Sequence, residues 1–342
     1  MSRCLLPLVG LLGVVLGGCR GRQAVLDPAG MQAEEISQLG TFFFVLGTVV
    51  LVLVVVFLVL AVLRGRRRAR EEGEQAPEVE PSPAGERRLT VAVGASVAAT
   101  VLVLLTLLLV DLFTGRTIRV LLDPNPLTVI VTGNQWWWQV QYEDRDPSRM
   151  LTTANEIHIP VGRPVRFRLR SNDVIHSFWA PNFHGKKDLV PGHPTTTWFR
   201  ATRAGTFYGQ CAEFCGTQHA HMRFVIVAEP QEQFEAWYRA QLQPARTPAT
   251  PRQRRGQEVF LGSTCVMCHT IQGTPARGRV GPDLTHLAGR MTLAAASRPN
   301  TRGHRAGWII DSHAIKPGNR MPPIPLTDED LQALLAYLDT LR

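Results

Sequence analysis

Charge is sparse in this 342-residue chain: 19% of residues are Asp, Glu, Lys or Arg, against 45% that are hydrophobic. The long apolar runs gather in the first 113 residues, and that segregation excludes a single soluble cytosolic domain. The charge balance is basic, at +9. Yet no basic helical face and no basic–aromatic stripe occurs, which argues against nucleic acid as a partner. Cysteine is also scarce, six in all: Cys4 and Cys19 near the start, Cys211 with Cys215, and Cys265 with Cys268. Close pairs surrounded by His and Met speak against a disulfide framework and for cofactor ligation. No internal repeat is present, and the length suits two ordinary domains of about 100–200 residues each.

Residues 1–19 read as a signal segment: Arg3, an apolar run from Leu5 to Leu16, then Leu16-Gly17-Gly18-Cys19. That ending resembles a bacterial lipoprotein cleavage box, which makes Cys19 the expected lipidation site. Residues 32–114 read as a transmembrane hairpin. Two apolar runs, about 41–63 and 89–111, the second uncharged from Leu89 to Val110, are each long enough to cross a hydrocarbon core of about 30 Å as a helix. Between them lies the cluster Arg64-Gly65-Arg66-Arg67-Arg68-Ala69-Arg70, which the positive-inside rule places in the cytoplasm. Both flanks then lie outside. Neither run has a polar face, so two buried helices of a soluble protein are excluded.

Residues 115–241 change to a strand-like pattern. Val165-Arg166-Phe167-Arg168-Leu169-Arg170 alternates strictly, while Thr128–Val131 and Phe224–Val227 read as fully buried strands. Turn signals at 160–162, 191–192 and 204–205 give the spacing of a Greek-key sandwich. A Pro-rich linker is expected at 242–251, and a compact helical segment at 252–342. That segment ends in an amphipathic helix signalled by Thr327 and Asp330, with Leu331, Leu334, Leu335, Leu338 and Leu341 on one face.

Two motifs carry chemistry. Cys211-x3-Cys215-x3-His219-x2-Met222 gathers thiolate, imidazole and thioether, a donor set that favours copper. Both thiolates of such a pair can bridge two copper ions. A further ligand must come from elsewhere, and His176, just past an expected strand, is the best placed. A disulfide needs neither the His nor the Met, and zinc rarely takes Met. The second motif, Cys265-x-x-Cys268-His269, is the attachment signature of a c-type haem, with His269 as one axial ligand. Met321, in a Pro-flanked loop, is the expected second ligand, with His286, His304, His313 and Met291 as rivals. His/Met ligation leaves no open position and suits electron transfer.

At these motifs the chain resembles cytochrome c oxidase subunit II, over about 32–241, joined to a class I cytochrome c over about 252–342. The combination is that of a caa-type haem-copper oxidase. The resemblance implies a cupredoxin-like fold holding the dinuclear copper A centre, in an arrangement carried over residue by residue. Cys211 and Cys215 bridge, His176 and His219 each bind one copper, Met222 is a weak ligand, and Glu213 ligates through its carbonyl. Trp136, in the run Gln135-Trp136-Trp137-Trp138, is implied as the point where electrons arrive, while Trp137 or Trp138 suits core packing. The Glu213 side chain is implied to reach a magnesium ion shared with subunit I. Glu86 is implied to lie at the mouth of a proton channel, although Leu89 stands where the family has Trp.

The reading is a subunit of a terminal oxidase in a bacterial inner membrane, its copper and haem domains on the outer face. It passes electrons from its own haem c, or from a soluble donor, to subunit I for oxygen reduction and proton pumping. The implied partners are subunit I and other oxidase subunits, membrane lipid, and upstream quinol:cytochrome c reductase or soluble cytochrome c. The rival readings are a copper-A nitric oxide reductase small subunit and a membrane-anchored electron carrier or copper-delivery protein.

Overall fold

A computed structural model of the chain describes residues 21–72, 82–120, 123 and 125–342. Cys19, its lipidation and the signal segment lie outside the described residues. Two compact units result, one of them spanning 35–121.

That smaller unit holds most of helix α1 (Met31–Glu72) and all of α2 (Pro83–Arg119). Both are long and apolar enough to cross a membrane, and no residue of their apolar windows is buried in the protein. They overrun the expected spans at both ends, and the added residues 31–40, 64–72 and 112–119 contain no Pro to stop them. α2 starts where such a signal exists: Ser82 accepts from Gly85 N, and Pro83 takes the first helical position.

The larger unit begins with ten strands: β1 (Leu127–Asn134), β2 (Trp137–Glu143), β3 (Leu151–Ala154), β4 (Glu156–Pro160), β5 (Pro164–Ser171), β6 (His176–Trp179), β7 (Lys187–Leu189), β8 (Thr195–Arg200), β9 (Gly205–Cys211) and β10 (Arg223–Glu229). They form two five-stranded sheets, ordered β3-β2-β1-β5-β8 and β4-β10-β9-β6-β7. Most pairs are antiparallel, but β1 runs parallel to β5 and β4 parallel to β10. This is a cupredoxin-like sandwich. β5 shows why the strands form: Val165, Phe167 and Leu169 are fully buried, while the alternating arginines face outward. Stacked pairs fill the core, Phe167 on Phe199 at 4.6 Å and Phe178 on Phe224 at 4.5 Å.

One boundary differs from expectation. Residues 32–34, expected in the hairpin, belong together with 21–31 to the larger unit. Ala29 is buried in the sandwich core, Gly30 bridges Ala201, and the Asn182 side chain donates to the carbonyls of Gly21 and Asp27. A small residue at 29 and a glycine at 30 let the backbone approach this closely. A Cβ on Gly30 would sit 3.0 Å from the Phe183 ring.

Helix α3 (Gln231–Gln241) caps one end of the sandwich through Phe234 and Tyr238. The helical segment follows, with α4 (Pro251–Gly262), α5 (Cys265–Cys268), a hairpin of β11 (Thr292–Leu293) and β12 (Arg298–Pro299), α6 (Arg302–Ile310), α7 (Ser312–Ile315) and α8 (Asp328–Leu338). α4 begins inside the Pro-rich stretch, because Thr250 and Gln253 make a capping box with Pro251 between them. α8 is capped by Thr327, which accepts from Asp330 N, and it buries Leu331, Leu334, Leu335 and Leu338. α4 and α8 cross at Gly256, where an added Cβ would lie 2.0 Å from the Ala333 carbonyl oxygen.

Candidate copper and haem sites

The copper-type ligands converge at one end of the sandwich. β9 delivers Cys211 at its last residue and β6 delivers His176 at its first; these two strands are neighbours in the sheet. The loop after β9 then folds back, with Met222 N bonded to the carbonyl of His219 and Cys211 N to that of Met222. The sulfurs of Cys211 and Cys215 lie 3.7 Å apart. His176 Nδ1 stands 3.9 Å from the Cys211 sulfur, and His219 Nδ1 stands 3.6 Å from that of Cys215. Met222 Sδ is 3.8 Å from the Cys215 sulfur, and the Glu213 carbonyl oxygen is 3.1 Å from that of Cys211. Two thiolates flanked by one imidazole each, with a thioether and a carbonyl beside them, fit a pair of copper ions. Asp173 accepts from His176 Nε2 at 2.8 Å, which turns Nδ1 toward the sulfurs. Hydrogen bonding from Cys215 holds the Cys211 thiol far below its usual range, while the same neighbour and burial raise Cys215.

Gly133 completes this pocket. A Cβ there would come within 2.6 Å of the His176 ring, so only glycine leaves the imidazole its place. Neither Gly133 nor Asp173 was singled out from sequence; the only signal for Asp173 was a carboxylate three residues before the histidine.

In the helical segment, Cys265, Cys268, His269 and Met321 line a cavity of about 410 Å³. His269 Nδ1 donates to the Pro282 carbonyl at 2.7 Å, leaving Nε2 for a metal, and burial lowers its proton affinity. Gly281 lies so close that a Cβ would be 2.6 Å from the imidazole. The walls are apolar, with Phe260, Leu284, Trp308 and Leu338 among them. Two arginines on the lining, Arg290 and Arg305, keep buried guanidinium nitrogens without a hydrogen-bond partner. Arg305 pairs with Asp339 through its other terminal nitrogen and Arg290 bonds the Asp283 carbonyl, so what each leaves over is a buried donor that calls for an acceptor. A haem, which brings an apolar macrocycle and two carboxylates, fits both the walls and the orphaned donors.

The rival axial ligands lie elsewhere. His286 spends both ring nitrogens on backbone carbonyls, of Arg342 on one side and of Gln241 and Gln243 on the other. His304 bonds Thr301, His313 is exposed, and neither they nor Met291 line the cavity.

The two sites meet at Trp136. Its indole Nε1 donates to the Cys215 carbonyl at 2.9 Å, beside a second bond from the Gln135 side chain at 2.9 Å. Trp136 and Trp137 also line the haem-type cavity, whereas Trp138 is wholly buried in the sandwich core. Lys316 crosses the same junction, its Nζ bonded to the Trp136 carbonyl at 2.7 Å. Burial pushes the Lys316 amine down to about 7, with the Cys215 sulfur pulling the other way. The Glu213 carboxylate points outward with Lys186 at 3.8 Å. Glu86 is exposed in the first turn of α2.

Comparison with known proteins gives matching families for both halves of the larger unit. A family profile described as cytochrome c oxidase subunit II, periplasmic domain, matches residues 144–229, and one described as cytochrome c matches 253–342. Cytochrome c oxidase subunit 2 of Alkalihalophilus pseudofirmus is 33% identical over 98% of this chain and 96% of its own length. The protein of the same name from Bacillus sp. strain PS3 is 33% identical over 99% of this chain and 97% of its own. Among solved structures, the periplasmic domain of subunit II of cytochrome oxidase from Bradyrhizobium japonicum is 32% identical. It covers 35% of this chain and 96% of that one, with a TM-score of 0.33.

Proposed function

The chain belongs to the cytochrome c oxidase subunit II family, as one subunit of an oxidoreductase complex, and on that premise we propose that it carries electrons from its C-terminal haem domain through the sandwich toward subunit I. When bound, a covalent haem c and a dinuclear copper centre supply the one-electron couples at its two ends. The observation that carries the reading is the position of Trp136. It forms part of the wall around His269 and Met321, and its indole bonds the backbone of Cys215.

The chain's own residues serve this task by holding still. Cys265 and Cys268 would anchor the haem, and His269, oriented by the Pro282 carbonyl, and Met321 would hold its iron. Arg290 and Arg305 offer their unmatched donors to the haem's carboxylates. In the sandwich, Asp173 and Gly133 fix His176 while Cys211, Cys215, His219, Met222 and the Glu213 carbonyl surround the copper pair. A site built on sheet ends moves little between charge states, which keeps reorganisation small. The outward carboxylate of Glu213 suits a magnesium ion shared with subunit I, and Glu86 suits the mouth of a proton channel in that partner. Oxygen reduction and proton pumping belong to the partner. α1 and α2 anchor the chain in the bacterial inner membrane, with the larger unit on the outer face, where quinol:cytochrome c reductase or soluble cytochrome c supplies electrons.

The complex purified through this chain is tested for oxygen uptake with a small-molecule reductant and no added cytochrome c. Cyanide-sensitive uptake is expected. Turnover of nitric oxide without oxygen uptake would replace the oxidase reading with a reductase, and neither activity, with copper and haem bound, would leave a carrier.

A further inference from the structure

Lysine is the rarest cation here, present only at 186, 187 and 316. The first two are exposed, but Lys316 is 2% exposed. Its Nζ bonds three backbone carbonyls: Trp136 at 2.7 Å, His221 at 3.0 Å and Ala294 at 3.5 Å. An amine buried in this way demands its partners, because desolvation is repaid only by well-placed acceptors. Each carbonyl belongs to a different piece of the junction. Trp136 walls the haem cavity, His221 precedes the copper-side Met222, and Ala294 opens the turn between β11 and β12.

That turn is itself unusual. Ala294, Ala295 and Ala296 have φ of 54°, 56° and 56°, a left-handed run that L-residues with a Cβ avoid. Such a run persists only where its surroundings hold it. The copper domain does so: Arg223 N donates to the Ala295 carbonyl, and the His221 carbonyl accepts from Ser297 Oγ. Along the edge, Gln218 Nε2 donates to the Pro317 carbonyl at 2.9 Å. On the haem side, Lys316 and Met321 are tied into one rigid loop. Asn319 donates to the Lys316 carbonyl and accepts from Met321 N, both at 2.8 Å.

We propose that Lys316, clasped with the left-handed alanine turn, is a positioning residue for electron transfer, fixing the Met321 loop against Trp136 and against the backbone beside Met222. The proposal rests on the electron-carrying reading above and adds to it the part that sets the distance between the two sites. A displacement of Lys316 passes through Asn319 to Met321, so the clasp aligns the haem ligand and Trp136 together. Lys316 lines the haem-type cavity, but its Nζ is committed to three backbone carbonyls, so it acts through the loop it holds.

The experiment compares the complete complex carrying Lys316→Met, which keeps the volume, with wild type and Lys316→Arg, which keeps a donor. Two quantities are read: the rate of haem-to-copper transfer after flash photoreduction, and amide hydrogen exchange over 133–137 and 219–223. For Lys316→Met the expected result is transfer slower by about tenfold, as loss of a bond of this strength shifts a docked population. Protection should fall in both segments, with unchanged absorption bands of Met-ligated haem and of copper, and Lys316→Arg should recover part of both. Unchanged transfer and protection in Lys316→Met would overturn the proposal. Should that variant fail to accumulate, Gln218→Ala combined with Ser297→Ala is read by the same two quantities and the same criteria. A wild-type complex with both sites filled but no transfer between them would overturn the electron-carrying reading instead, while the exchange data would still judge the clasp.

Discussion

In the sandwich, the sulfur and nitrogen donors lie 3.6–3.9 Å apart and every ligand is fixed by a neighbouring strand or loop bond. In the helical segment, by contrast, two cysteines, a histidine and a methionine stand around a cavity of about 410 Å³, beside orphaned guanidinium nitrogens of Arg290 and Arg305. Both regions use a cysteine pair and a histidine close in sequence. The sandwich completes its core without its metal, because Phe167, Phe178, Phe199 and Phe224 pack against one another whatever sits at the rim. In the helical segment the apolar wall of the cavity, Phe260, Leu334 and Leu338 among it, is itself part of the core. One cofactor would sit at the rim of its core, and the other would extend the core itself.

The sharpest way to break this contrast is to remove the haem anchor. Cys265→Ala with Cys268→Ala should abolish the cooperative thermal transition of the helical segment while the transition of the sandwich remains, as calorimetry of the full chain can show. Loss of both transitions together would mean that the two regions fold as one.

A smaller effect is expected from two glycines that play the same part in each region. Gly133→Ala forces a Cβ against His176, and Gly281→Ala forces one against His269, each to 2.6 Å. Overpacking of this kind costs about 1–3 kcal/mol. In the rigid sheet end, the strain should appear as weakened copper binding, measured by competition with a chelator. In the helical loop, a thioether-anchored haem stays bound, and the strain should appear as a shifted haem absorption spectrum.

The mildest test concerns His158, remote from both sites. Its ring stacks on Trp237 at 4.0 Å and bonds Glu229 at 2.8 Å and Glu156 at 3.2 Å. Burial works against its charge, but the hydrogen bonds to the two glutamates prevail and raise its proton affinity above the ordinary histidine value of 6.5. The fold therefore favours the charged ring. Its contribution is complete below pH 6.5 and is lost as the pH rises through the higher folded value. The sandwich melting temperature of wild type should exceed that of His158→Gln by roughly 3 °C at acidic pH. The gap should close as the pH rises, and a gap that widens with pH would reverse the assignment.

The same contrast decides how much could be read from the chain. The copper loop was legible because five donors lie within twelve residues, from Cys211 to Met222, and the haem motif because its spacing is dictated by the cofactor. The alternation of β5 and the leucine face of α8 were equally plain, since burial on one side leaves a period. Asp173 was not: only three residues before His176, it looks like any loop carboxylate until the ring is placed. Nor were Gly133 and Lys316, because each acts across the fold, the pairs Gly133–His176 and Lys316–Trp136 being distant in sequence. The attachment of residues 21–34 escaped for the same reason, since a short irregular segment carries no period to announce the strand edge it meets. The tryptophan run became distinct only when pairing set which ring faced inward, leaving Trp138 in the core and Trp137 on the cavity wall.

The crossing at Gly256 has a consequence in time. The cavity wall takes Phe260 from α4 and Leu334 and Leu338 from α8, and the two helices touch where Gly256 meets Ala333. A chain delivered N-terminus first presents Cys265 and Cys268 well before α8 emerges. Attachment of a bulky group at Cys265 and Cys268 is expected to fall in that interval, before Leu334 and Leu338 close the cavity wall against α4.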